Sequence, residues 1–158
     1  MKSKRIRRMV GIRKGGVSVI AVQYEDGEVM QHSFDGRMRI YVAHPYTGDE
    51  EKSRKLALDA EEALRKATPN VEFFNPVGRM TEQFKALPYV KVMNRYLAEL
   101  ASCDGIVLCG DWKNSPGCCM DAKQAKMLKM LCWYGVDAYV KNWARVESKA
   151  EYEEEMAT

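Results

Sequence analysis

The sequence predicts an α/β protein: an open parallel sheet with flanking helices, preceded by a small N-terminal β-hairpin or meander. From residue 38 onward, short apolar and β-branched runs alternate with longer amphipathic stretches of helical period. Before residue 38 the pattern is of strands only, joined by turn residues such as Asp26-Gly27. The 158 residues are enough for one well-packed core.

The N-terminal unit is predicted to contain three strands, Ile6–Ile12, Val17–Tyr24 and Val29–Phe34. We divide the chain into a β extension at 1–37, a main α/β domain at 38–146 and an acidic tail or helix at 147–158. We expect the main domain to fold without the extension. In the alternative, apolar residues of the extension pack on the core or on a neighbouring subunit, namely Val19, Ile20, Val22 and Phe34.

The main domain is predicted to alternate strands with helices. The predicted strands are Arg39–Ala43, Val71–Phe74, 105–109 and Val136–Val140. The predicted helices are Asp49–Ala67, Pro88–Cys103 and 116 to about 133, the last of which carries Trp133. Strands separated by helical stretches favour a parallel sheet with right-handed crossovers. Ligands bind such a sheet outside the carboxyl ends of its strands, where three polar loops fall: His44–Gly48, Asn75–Gly78 and Asp111–Gly117.

The third loop leads into a helix whose first residues suit an anion or a sugar. The Ser115 hydroxyl can accept from a free helix N–H, and Pro116 suits the first helical position. Gly117 leaves room for a ligand to approach the backbone, where free amides attract anions. Asp121 follows about one turn later and is predicted to face the same space. The alternative is a surface carboxylate near a helix start.

Composition excludes several classes of protein. No apolar run reaches the length of a membrane span, and the basic start lacks the apolar stretch of a signal peptide, so we expect a cytoplasmic protein with no membrane partner. The five cysteines form no Cys-x-x-Cys pair and have no histidine at ligand spacing, so no disulfide framework or metal site is predicted. Cys118 or Cys119 as a nucleophile is the alternative. The glycine-rich loops of dinucleotide and ATP sites do not occur, and we expect no cofactor.

The charges are unevenly distributed along the chain. Residues 1–37 carry a net charge of +4 and residues 147–155 a net charge of −4. A short basic start is typically solvated, so nucleic acid is the least favoured partner class. Contact between the β extension and nucleic acid remains an open alternative.

Three segments resemble the nucleoside 2-deoxyribosyltransferase superfamily, including its small phage and bacterial members and the related deoxynucleoside monophosphate N-glycosidases. These segments are Arg39-Ile-Tyr-Val-Ala-His-Pro-Tyr-Thr-Gly48, Phe74-Asn75-Pro76, and Cys103-Asp104 through Trp112-x-x-Ser115-x-Gly117-x-x-x-Asp121-x-x-x-Ala125. They occur in the family's order within residues 38 to 140. The resemblance implies a Rossmann-like sheet.

The resemblance also implies an enzyme in which a carboxylate attacks the anomeric carbon of a 2-deoxyribonucleoside or nucleotide and expels the base. Another base or water then resolves the glycosyl-enzyme, giving transfer or hydrolysis. Asp121 matches the nucleophile's position, and a homo-oligomer is implied. The candidate substrate-binding residues lie in the three polar loops. They are His44, Tyr46, Thr47, Gly48, Asn75, Asp111, Trp112, Ser115 and Gly117.

Two residues depart from the family pattern. The family nucleophile is usually Glu, and Asp121 is shorter by one methylene. The family also commonly carries an Asp on the preceding helix where this chain has Tyr96, which is either a proton donor or a core residue. The alternative function is therefore a non-catalytic nucleotide-binding protein on the same fold.

Overall fold

A computed structural model describes residues 5–14, 17–35, 38–46, 49–69, 71–79 and 86–145. Its strands are β1 Ile6–Lys14, β2 Val17–Tyr24, β3 Val29–Asp35, β4 Arg39–Ala43, β5 Glu72–Phe74, β6 Gly105–Leu108, β7 Leu131–Tyr134 and β8 Trp143–Arg145. Its helices are α1 Glu50–Ala67, α2 Tyr89–Ala101, α3 Pro116–Met127 and α4 Val136–Asn142. The predicted α/β class is confirmed.

The main sheet is parallel, with the strand order β5-β4-β6-β7. The chain passes from β4 to β5 on one side and later crosses to β6 on the other side of β4. The connections leaving β4 and β6 therefore diverge, which opens a crevice at the carboxyl ends of these strands.

Strand β4 is buried on both faces, as expected for a central parallel strand. Ile40 and Val42 pack in a cluster with Leu64 of α1 and Tyr139 of α4. Tyr41 and Ala43 point to the other face and belong to a second buried cluster. Its other members are Leu100, Cys103, Ile106, Leu108, Cys118, Ala122 and Ala125. The helices α2 and α3 therefore cover the face on which Tyr41 lies.

Two elements predicted near the C-terminal end of the main domain are wrong. The helix predicted from 116 to about 133 ends at Met127, because Lys129 takes a φ of 56° that cannot continue a right-handed helix. Leu131–Tyr134 then forms β7, and its pairing with β6 buries Trp133 in the core. The strand predicted at Val136–Val140 is helix α4, which begins after Gly135.

The second sheet has the order β3-β2-β1-β8. Its first three strands form the predicted antiparallel meander, and β8 pairs in parallel with β1 through Met9 and Trp143. Ile20 and Val22 lie in the buried cluster that contains Val42, so these two residues pack on the core as the alternative expectation has it. The division at residue 38 remains a prediction.

No helix among the described residues combines the length and the apolar character needed to cross a membrane.

Candidate active site

A cavity of about 540 Å³ opens beyond the carboxyl ends of β4, β5 and β6. Its walls come from β4 and the following loop, the turn after β5, helix α2 and the first turns of α3. The volume lies within the range of roughly 300–1,000 Å³ that is typical of small-molecule sites. Five of the sequence-predicted site residues line it together: His44, Tyr46, Ser115, Gly117 and Asp121.

The start of α3 has the predicted local structure. Ser115 is the N-cap, and its Oγ accepts a hydrogen bond from the Cys118 N–H at 3.3 Å, while Pro116 is the first helical residue. A Cβ added at Gly117 would lie 3.9 Å from the Cε and Sδ atoms of Met93, so the backbone there is open towards the cavity. Pro116 has no N–H, and the Cys118 and Cys119 N–H groups donate to Ser115, so the Gly117 N–H is the group at this helix start that is left for an anion among the described residues.

Asp121 is a buried carboxyl group, with 6% of the residue exposed. It belongs to the inward-facing stripe of α3, together with Cys118, Ala122 and Ala125. Its Oδ1 atom is buried and has no hydrogen-bond partner among the described residues. Burial raises the pKa of Asp121 to about 7. A buried carboxyl group without a partner is costly, and such groups concentrate at functional sites.

Tyrosines form much of the polar wall around Asp121. Burial and then the charge of Asp121 raise the pKa of Tyr41 well above its usual value, which indicates that the two side chains are neighbours. Burial and then Tyr46 raise the pKa of Tyr96, which lies half-buried on α2 at the cavity wall and also packs against the core. Tyr41 is not among the site residues predicted from the sequence. The alternation of β4 was the available signal, because it places Tyr41 on the same face as Ala43.

His44 lies in the loop that follows β4, and its side chain lies close to the loop that follows β6. Its Nδ1 donates to the Pro45 carbonyl oxygen at 3.0 Å, which leaves Nε2 as an acceptor in the neutral ring. A Cβ added at Gly110 would lie 3.6 Å from this Nε2, so the imidazole sits close to the Gly110 backbone. Gly110 itself has a φ of 55°, in the left-handed region that favours glycine.

Asn75 and Asp111 do not line the cavity. Asn75 is buried, its Nδ2 donates to the Ala57 carbonyl at 2.9 Å and its Oδ1 accepts from the Gly78 N–H at 3.2 Å. These bonds shape the turn whose Pro76 and Val77 form part of the cavity wall. Asp111 is exposed, and both of its carboxylate oxygens accept from Asn114 Nδ2, at 2.9 and 2.8 Å.

The remaining predicted residues lie elsewhere. Trp112 packs against Tyr134, with ring centroids 5.7 Å apart, and lines a second cavity. Thr47 and Gly48 lie outside the described residues.

The cysteines are all free thiols. Cys118 lines the cavity, but burial raises its pKa to about 11, so it is a thiol rather than a nucleophilic thiolate at neutral pH. Cys119 is exposed, and its Sγ donates to the Trp112 and Lys113 carbonyls. Within the described ranges, no group of three or more His, Cys, Asp and Glu side chains is arranged to hold a metal ion.

The resemblance to the nucleoside 2-deoxyribosyltransferase superfamily that was drawn from the sequence is confirmed by a family match. Residues 38–134 match the family described as "Domain of unknown function (DUF4406)". This match spans more than half of the chain, and the chain belongs to that family.

Solved structures with a similar fold include a conserved protein from Enterococcus faecalis V583. It is 13% identical, the alignment covers 77% of this chain and 98% of that one, and the TM-score is 0.50. A 2-deoxyribosyltransferase from Bacillus psychrosaccharolyticus aligns at 15% identity over 73% of this chain and 90% of its own, with a TM-score of 0.47. No curated protein sequence matches the chain.

Proposed function

We propose that this protein is a nucleoside or nucleotide 2-deoxyribosyltransferase or N-glycosidase in which Asp121 is the nucleophile. The observation that carries the proposal is the carboxyl group of Asp121 in the cavity lining, whose buried Oδ1 atom has no hydrogen-bond partner among the described residues. A carboxylate that forms hydrogen bonds with the protein is stabilised and is therefore a weaker nucleophile, and Asp121 lacks that stabilisation at Oδ1.

The reaction has two steps. A carboxylate oxygen of Asp121 forms a bond to the anomeric carbon, the carbon–nitrogen bond breaks with its electron pair going to the base, and the base takes up a proton as it leaves. A second base or water then attacks the anomeric carbon and releases the carboxylate. The Tyr96 hydroxyl at the cavity wall is the candidate donor of the first proton, although its raised pKa makes it a weak acid.

Two parts of the cavity suit two parts of a nucleotide. The start of α3, with Ser115 and the open backbone of Gly117, suits a phosphate or sugar hydroxyl because the Gly117 N–H is left for it and the helix dipole favours negative charge there. The aromatic side chains of Tyr89 and Tyr96 offer flat apolar surface to a base. A small-molecule nucleoside or nucleotide is therefore the proposed substrate, and a cytoplasmic homo-oligomer is the proposed form of the enzyme.

A second candidate is a nucleotide-binding protein that does not turn its ligand over. Among the described residues that line the cavity, Asp121 is the single carboxyl group, and Tyr96 occupies the wall where the family resemblance implies an acid. A pKa of about 7 also leaves much of Asp121 protonated at neutral pH, which weakens it as a nucleophile.

The test incubates the full chain with each 2′-deoxynucleoside and its 5′-monophosphate, and quantifies free base by liquid chromatography. Asp121→Asn is expected to lower base release by at least about a thousandfold while the ligand still binds in calorimetry. The matched control is Asp59→Asn, since Asp59 is exposed on α1 and lines neither cavity.

Each outcome separates the candidates. Base release that depends on Asp121 supports the enzyme. Binding without release supports the second candidate, and neither binding nor release overturns both. Ser115→Ala refines the assignment, because a larger loss of affinity for the monophosphate than for the nucleoside places the phosphate at the α3 start.

A further inference from the structure

A second cavity, of about 1,180 Å³, lies beside the N-terminal sheet. It is bounded by the start of β1, the β2–β3 turn, the short 3₁₀ turn Trp112–Asn114, strand β7 and helix α4. It shares no lining residue with the Asp121 cavity. Its volume exceeds the range of roughly 300–1,000 Å³ that suits small molecules, so a larger ligand fits it better. We call it the cationic groove.

Five cationic side chains line the groove: Arg5, Arg7, Lys113, Lys126 and Lys141. All five are exposed, and within the described part of the chain none of them lies within ion-pairing distance of a carboxylate. Two acidic residues, Glu25 and Asp26 of the β2–β3 turn, also line the groove, so the cations outnumber the anions. An excess of exposed positive charge in a concave surface attracts a polyanion.

The cationic side chains come from segments that are far apart in the sequence and are fixed to each other in the fold. Asn142 Nδ2 donates to the Ile6 and Arg7 carbonyls, at 2.7 and 2.8 Å. These bonds fix the chain that carries Arg7 beside the last turn of α4, which carries Lys141. The positive surface is therefore built by tertiary structure and is not a property of a solvated basic start.

Aromatic rings lie within the same groove. Trp112 and Tyr134 are both partly exposed, with ring centroids 5.7 Å apart and an interplanar angle of 34°. Lys113 Nζ lies 5.9 Å from the Trp112 ring centroid, so a cation adjoins the aromatic face. Cations that follow a backbone, combined with aromatic faces on which bases stack, are the two elements of binding to single-stranded nucleic acid.

We propose that the cationic groove binds a single-stranded nucleic acid, with phosphates on the five cationic side chains and a base stacked on Trp112. The groove is separate from the Asp121 cavity, so this inference does not depend on the proposed function. The sequence showed only the basic residues near the N-terminus. The fold adds Lys113, Lys126 and Lys141 and the aromatic pair.

The test measures fluorescence anisotropy of a labelled oligodeoxythymidine of about 12 nucleotides with the full-length protein, within the site sizes known for single strands. Five phosphate contacts predict a slope of log affinity against log salt of about −3.5, or about a hundredfold loss of affinity between about 50 and 200 mM salt. The triple variant Arg7→Gln/Lys113→Gln/Lys141→Gln is expected to reduce the size of this slope by about 2.

The matched control replaces three exposed lysines that line neither cavity, Lys55→Gln/Lys91→Gln/Lys123→Gln, and changes the net charge equally. Its slope is expected to stay close to that of the native chain. Equal losses in the two triple variants overturn the proposal, because they indicate attraction to the net charge alone. Absence of binding to the oligonucleotide at about 50 mM salt overturns it as well.

The stacking of a base on Trp112 is tested with a separate variant and separate probes. Trp112→Leu is expected to weaken binding about 5- to 100-fold with the salt slope unchanged, and thermal unfolding checks that the variant is folded. An equally long duplex and inorganic polyphosphate are expected to bind at least about tenfold more weakly than the single strand. Polyphosphate or duplex that binds as tightly as the single strand overturns the proposal, since neither offers an unpaired base.

Discussion

Asp121 and Ser115 lie on the same helix and line the same cavity, but only one of them has its hydrogen bonds satisfied. Ser115 Oγ accepts from the Cys118 N–H at 3.3 Å, whereas the buried Asp121 Oδ1 has no partner among the described residues. The Ser115 cap stabilises the start of α3. Burial of the Asp121 carboxyl group without a hydrogen bond to Oδ1 costs folding free energy.

The stability of the native chain should fall with rising pH because of Asp121. Its pKa is raised from 3.8 to about 7 on folding, so the folded chain holds the proton more tightly than the unfolded chain. The stabilisation is full below about pH 4 and is lost as the pH rises through about 7. Asp121→Asn cannot ionise. The free energy of unfolding, measured with urea between about pH 4 and pH 8, should therefore rise in Asp121→Asn relative to the native chain by up to about 4 kcal/mol as the pH increases. Parallel pH profiles would contradict this.

Base release should have an acidic limb set by the same group. Under the proposed function only the ionised form of Asp121 attacks, and its pKa is about 7. Values of kcat/KM, measured at nucleoside concentrations well below KM, should rise about tenfold for each pH unit below about 7 and level off above it. A rate that decreases steadily as the pH rises towards 7 would rule out Asp121 as the attacking group.

Asp121→Glu tests the one-methylene departure from the family pattern. A displacement on the order of 1 Å can change a rate about a hundredfold, so the longer side chain is expected to raise the rate of base release if the site is an enzyme weakened by its short nucleophile. If the cavity only binds its ligand, the extra methylene should crowd it and lower affinity. The rate of base release and the ligand affinity are measured together. If both stay the same, Asp121 does not face the ligand.

Two glycine substitutions separate packing from ligand approach. A Cβ at Gly105 would lie 2.8 Å from Trp133 Cζ3 and 3.1 Å from the Leu131 carbonyl oxygen. Gly105→Ala should cost about 1–3 kcal/mol of unfolding free energy through overpacking. Among the described residues Gly117→Ala meets Met93, at 3.9 Å, and should gain up to about 1 kcal/mol from helix propensity. Its nucleotide affinity should nevertheless fall. Denaturation midpoints that shift equally would contradict the packing argument.

A chain that starts at Met38 tests whether the N-terminal sheet is an appendage. Met9 and Val22 are fully buried and belong to the cluster that contains Val42 and Val107. Removing them exposes apolar surface of the main domain. Contrary to the expectation from the sequence, the shortened chain should therefore be insoluble or unfold without a cooperative transition. A soluble, cooperatively unfolding product that binds nucleotide would show that residues 38–146 form an independent domain.

Local pattern was sufficient for the elements that decide the site. The alternating strands and helices predicted the parallel sheet, and the chemistry of Ser115 and Pro116 predicted the start of α3. Asn75 shows the limit of this approach, since a polar residue in a loop is equally suited to hold the loop, and its bonds to Ala57 and Gly78 do so.

Segments with two compatible periods could not be decided locally. The run from Met127 to Tyr134 fits both a helix and a strand, and pairing with β6 selects the strand. Strand β8 is three residues long and carries no pattern of its own, so its parallel pairing with β1 is fixed by tertiary contacts.

That parallel pairing imposes an order on biosynthesis. Residues Met9–Gly11 of β1 leave the ribosome long before their partners Trp143–Arg145. The β1–β2 hairpin forms within microseconds, but the other edge of β1 keeps unpaired N–H and C=O groups until translation has passed Arg145. A nascent chain that pauses before that point presents an open strand to its neighbours on the same polysome.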